Sequence, residues 1–202
     1  REMPECQTNF VRCDDYQGGY IAGKHLLELG HRHFLYLPGP KYNLSQTRRY
    51  AGIMDALSEA NVPASNIREI DYHTVFGSSA ESTSSYKPYE ELFFPVNYTA
   101  VIGFNDLQSY SAMEILQKKG YRIPEDISLI SFDHLRKTHT YLPPLTSIAD
   151  NSEKSIADTA VSILLDKIRN PSSEISSEVL PVSIFDDHTT GPINETFAHS
   201  FE

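Results

Sequence analysis

Short apolar runs of five to seven residues alternate along the chain with longer stretches whose apolar residues recur at helical spacing, and this alternation narrows the possible folds most. Between Tyr20 and Leu29, Ile21, Ala22, Leu26 and Leu29 define a helix stopped by Gly30. His33 to Leu37 is an aromatic strand closed by Pro38-Gly39-Pro40, and Ser45 opens a second helix carrying Ile53, Met54 and Leu57. A third strand starts at Ile67 and a fourth runs from Tyr98 to Phe104; Asn105-Asp106 then caps a helix that ends at Gly120. Ile127 to Phe132 is a further strand. Ile156, Ala160, Ile163, Leu164 and Ile168 stripe a helix after Asn151, and Val179 to Phe185 reads as one last strand. Such alternation implies crossover connections: an α/β fold whose mainly parallel sheet has helices on both faces.

The chain has 202 residues, 40% hydrophobic and 11% aromatic, which suffices for a real core. Its 27 acidic against 17 basic residues give a net charge of -10, so the segment lacks the basic footprint of a phosphate-gripping protein. No window approaches the roughly 18 apolar residues of a membrane span, and the first ten residues are too polar for a signal peptide, so a cytoplasmic protein is expected. Cys6 and Cys13 form no CxxC and no histidine pair stands at ligand spacing, so neither metal nor cofactor is expected. The sequons at Asn97 and Asn194 carry no weight in a cytosolic protein.

Ligands of open parallel sheets sit beyond the carboxyl ends of the strands. The residues there are polar or aromatic: Pro38 to Arg49, Tyr72-His73, Asn105-Asp106, Asp133-His134 and Asp150. A sugar presents hydroxyls that both donate and accept, so its cleft needs carboxylates, amides and guanidinium groups around an aromatic face; Arg49, Asn105, Asp133 and Tyr72 supply that set. Singly, each also has a plain reading. Asn105 and Asp106 cap a helix, Asp133 ends a strand, and Arg49 is a solvated helix residue. Enzymatic signatures are missing: there is no GxSxG, no GxxxxGK[ST] and no GxGxxG after a strand. Gly18-Gly19 most simply lets the chain turn into the first helix, and His25, His31 and His33 are scattered.

Five runs resemble the LacI/GalR family of bacterial transcription regulators, in the family's order. They are Asp14 to Pro40, with its leucine-Gly-His helix end; Ser45 to Leu57; Ala100 to Asp106; Gly120 to Asp133 (GYRIPEDISLISFD); and Tyr141 to Asp150 (YLPPLTSIAD). The resemblance covers about residues 10 to 190 and implies a type I periplasmic-binding-protein-like fold. It implies no enzyme, but a homodimeric repressor that binds a small effector, usually a sugar, and meets operator DNA through a headpiece not in this chain. By the family pattern Arg49, Asn105 and Asp133 contact the effector and Tyr72 lies against it, with Ser45 adding a hydroxyl and Asp14 and Asp150 on the opposite wall and hinge. It also implies one nearly complete lobe and one partial one: residues 1–30 as a remnant of the N-terminal subdomain, 31–149 as the C-terminal subdomain, and 150–202 as a return through the hinge. The alternative is the sugar-binding component of an ABC-type transporter.

Overall fold

A computed structural model describes residues 8–70, 89–153 and 155–199, and the account that follows is of those residues. Strands β1 (Phe10–Cys13), β2 (Phe34–Leu37), β3 (Ile67–Glu69), β4 (Ala100–Gly103), β5 (Ser128–Phe132), β6 (Ser147–Asp150), β7 (Ser177–Leu180) and β8 (Val182–Phe185) alternate with helices α1 (Asp15–Glu28), α2 (Leu44–Glu59), α3 (Asp106–Lys118), α4 (Ile156–Arg169) and the short α5 (Glu195–Ala198). Six strands form one sheet in the order β3-β2-β4-β5-β6-β8, and β1 pairs with β7 in a second. All the pairings are parallel except β6 with β8.

Strand alternation divides the core into two layers. Phe34, Tyr36, Ile102, Ile130 and Phe132 face α1 and α2, joining Ala22, Leu26, Ile53 and Leu57. Leu35, Leu37, Val101 and Leu129 face the opposite way and meet Ala112, Met113 and Leu116 of α3. The helices begin where polar side chains satisfy free backbone donors: Asn43 accepts from Ser45 N–H, Asn105 from Gln108 N–H and Ser155 from Asp158 N–H. Each such cap is worth about 1 kcal/mol.

Two expectations change. Val179 to Phe185 is not one strand, because Pro181 lacks an N–H and breaks the ladder; β7 stays in the small sheet while β8 enters the large one. Gly18 and Gly19 lie inside α1 rather than before it, since Asp14 already caps the helix by accepting from Gln17 N–H. Helix α1, grouped by the resemblance with the first 30 residues, packs on α2 and the large sheet. The chain passes between the sheets three times, at Cys13–Asp15, after Asp150 and at Pro181, and the crossings are laced together by Asp14 N–H to Leu180 O at 2.9 Å and Asn151 N–H to Pro181 O at 3.3 Å.

Candidate functional site

The site begins with two glycines. A β-carbon on Gly19 would lie 2.0 Å from the Arg49 carbonyl oxygen, and one on Gly52 would lie 2.1 Å from the Tyr16 carbonyl oxygen, so only glycine at both points lets α1 and α2 meet backbone to backbone. That approach carries Arg49, on the second turn of α2, to the first turn of α1. Its Nε–H donates to Asp15 Oδ1 at 2.9 Å, one Nη1–H to the Phe104 carbonyl at 2.6 Å, and one Nη2–H to Asp133 Oδ1 at 3.3 Å. The guanidinium is also flanked by aromatic rings, 5.1 Å from the Phe104 centroid and 4.5 Å from that of Phe132. Three elements therefore fix the plane of one side chain.

Around it lies a cavity of about 240 Å³ at the junction of the two sheets, lined by Cys13, Asp14, Asp15, Arg49, Asp133, Lys137 and Asp150 together with apolar Phe132, Ile148, Ile156 and Val182. Asp133 stands at φ +98°, a left-handed conformation that costs an aspartate about 1–3 kcal/mol and that here turns the chain out of β5. Asp106, behind this turn, is buried; it accepts from Leu135 N–H at 2.7 Å and from the Ser147 hydroxyl at 2.9 Å, anchoring the loop to α3. Burial pushes the Asp106 carboxyl above its ordinary range against those hydrogen bonds. The Cys13 thiol is pushed up to about 11, first by burial and then by the negative charges of Asp15 and Asp150, so it stays protonated.

Of the residues named from sequence, Arg49, Asp133, Asp14 and Asp150 line this cavity together. Asp14 also caps α1, and Asp150 accepts from Ser152 N–H at 2.8 Å. Asn105 and Ser45 do not line it: Asn105 is occupied as the α3 cap, and Ser45 sits one turn before Arg49 with its N–H on Asn43. Tyr72 lies outside the described residues. Asp15 and Lys137 escaped the sequence reading. Asp15 adjoins Asp14 and looks redundant with it; its partner is 34 residues away and is disclosed only when the helices cross. His31 is structural: Nε2–H donates to the Gly191 carbonyl at 3.0 Å and Nδ1 accepts from Thr99 at 2.9 Å. Among the described residues no cluster of metal-ligating side chains occurs, and no helix is long and apolar enough to cross a membrane.

Comparison with known proteins supplies the family. Residues 24–190 match the periplasmic binding protein-like domain. The HTH-type transcriptional repressor PurR of Escherichia coli O139:H28 is 35% identical over 86% of this chain and 50% of its own length, and PurR of Mannheimia succiniciproducens is 33% identical over 80% and 46%. The chain thus spans about half the length of the curated relatives it matches. A LacI family transcriptional regulator from Enterococcus faecium, solved with bound ribose, superimposes with a TM-score of 0.77 at 26% identity, covering 96% of this chain and 69% of that one. The transcriptional regulator CelR in complex with cellobiose gives 0.74 at 25% identity, covering 93% and 55%. By these matches the chain belongs to the periplasmic binding protein-like family, as an effector-binding domain of the LacI type.

Proposed function

We propose that this chain is the effector-binding and dimerisation region of a DNA-binding transcription regulator, and that its cleft takes a small polyhydroxylated effector, a sugar. The observation that carries the reading is Arg49, held near the rings of Phe104 and Phe132 with Asp133 beside it in the lining of the cavity. A fixed guanidinium edge next to a half-exposed carboxylate offers donors and acceptors together, which is what vicinal hydroxyls match. Asp14 and Asp150 face the same space from the hinge and complete the polar ring. Solved neighbours that hold ribose and cellobiose support a sugar, and relatives that are repressors favour a regulator over a transporter component or an enzyme. With a net charge of -10, DNA contact falls to a segment other than this one, in the cytoplasm.

The large and small sheets correspond, in this reading, to the two lobes that close on the effector. The homodimer forms on the flank of α3, where Leu107 is 66% exposed beside a hollow of about 630 Å³ lined by Tyr110, Met113, Leu142 and Pro143. Leu107→Glu shifts a dimer to monomer in sedimentation velocity if this face is the interface.

Calorimetric titration with free sugars, beginning with ribose and cellobiose, tests the site. Asp133 is 44% exposed on its side chain but holds φ +98°, so Asp133→Ala is first checked for native folding by circular dichroism; its lost hydrogen bonds then weaken sugar binding by about tenfold or more. Binding by Asp133→Ala within threefold of the wild type overturns the assignment.

A further inference from the structure

Asp15 is 4% exposed, and its carboxylate meets the Arg49 guanidinium edge-on at 2.9 Å. A buried carboxylate in contact with a guanidinium cancels most of the field that the cation would otherwise send into the cleft. What Arg49 keeps is hydrogen-bonding capacity. Of its five N–H groups, Nε–H and one on each terminal nitrogen are already engaged, which leaves two without a partner among the described residues. The rest of the cavity leans the same way, since the charged side chains lining it are Asp14, Asp15, Asp133 and Asp150 against Arg49 and Lys137. The Cys13 thiol beside them is raised first by burial and then by Asp15 and Asp150, against Arg49.

We propose that Asp15 is the residue that sets the charge preference of this cleft: by neutralising Arg49 from behind, it makes the site take uncharged or amine-bearing polyhydroxylated ligands and refuse phosphorylated or carboxylated ones. This rests on the reading of the cavity as the effector site and adds the chemical class of the effector. A phosphate dianion entering the cleft meets two unpaired carboxylates for each cation not already neutralised, and hydrogen bonds from the two remaining Arg49 donors do not offset its lost hydration. An ammonium group meets the opposite field.

The test uses an isosteric substitution. Asp15→Asn keeps an oxygen for Arg49 Nε–H and removes only the charge. Inorganic phosphate is titrated into wild-type and Asp15→Asn protein while the Nε–H signal of Arg49, identified by its loss in Arg49→Lys, is followed by 15N–1H correlation. Glucose, glucosamine and glucose 6-phosphate are then compared by calorimetry. The wild type is expected to show no phosphate-dependent shift at millimolar concentrations, while Asp15→Asn binds phosphate at least tenfold more tightly; the ratio of glucose 6-phosphate to glucose affinity rises by a similar factor. Unchanged phosphate affinity in Asp15→Asn overturns the proposal. Should that variant not fold, the wild type decides alone, because a phosphate-dependent shift of the Arg49 signal with a millimolar midpoint overturns it equally. The phosphate arm needs no sugar to bind, so failure of every sugar to bind tells against the effector reading without obscuring the role of Asp15.

Discussion

The six-stranded layer and the small β1–β7–α4 unit are built from similar sequence patterns, yet they end in opposite states. In the large layer Leu35, Tyr36, Val101, Ile102, Leu129 and Ile130 are wholly buried, and helices cover both faces. In the small unit α4 carries the most pronounced apolar stripe of the four long helices, but Leu164 is 59% and Ile168 64% exposed, and Thr159 is its one buried residue. A hollow of about 440 Å³ between α4 and β1 is lined by Phe10, Val11, Ala160, Ile163 and Leu164. An apolar stripe tells where a helix forms, whereas burial depends on how many layers stack over it. In this chain stability therefore resides in the large layer.

Truncation of core leucine and isoleucine gives the sharpest contrast. Leu26→Ala and Ile102→Ala remove wholly buried side chains and are expected to cost about 2–5 kcal/mol each by urea denaturation. A loss below about 1 kcal/mol at both positions breaks the claim that this layer holds the fold.

Acid acts on the same layer through His31, which burial pushes down to about 4. Because the folded-state value lies below the unfolded one, the unfolded chain binds the extra proton first; the stabilisation is complete above about pH 6.5 and is lost as pH falls towards 4. The span corresponds to about 3 kcal/mol. Burial lowers His25 in the same direction. Replacing His31 with Gln is expected to flatten the stability profile between pH 4 and 6.5; a variant profile parallel to the wild type removes His31 as its cause.

Gly19→Ala probes the helix contact beneath the cleft. Its new β-carbon meets main-chain atoms of α2, so the helices must separate, at a cost of about 1–3 kcal/mol. Arg49 shifts with them, and sugar affinity drops along with stability. The smallest effect belongs to the small unit: Leu164→Ala is expected to change stability by no more than about 0.5 kcal/mol, and a loss of 2 kcal/mol there erases the contrast between the two regions.

Much of this was legible along the chain, for local reasons. Strand and helix order, the helix after Asn151 included, follow from periodicities that neighbouring residues impose on one another, and the cap at Asn105 follows from a side chain reaching its own backbone three residues on. Asp14 entered only through the family resemblance, but that Arg49, Asp133 and Asp150 share a cavity was anticipated because strand ends in a parallel sheet gather at one edge. The break at Pro181, the close approach at Gly19 and Gly52, the pairing of Asp15 with Arg49 and the bare face of α4 were not. Each depends on which segments become neighbours after the chain has turned back on itself, over separations of tens of residues. Sequence alone determined the elements, their order and the residue types available at the strand ends. Only the tertiary structure decided that Asp15 rather than Asp14 holds the arginine, and which apolar stripe is covered, because a contact between distant segments leaves no periodic mark in either of them.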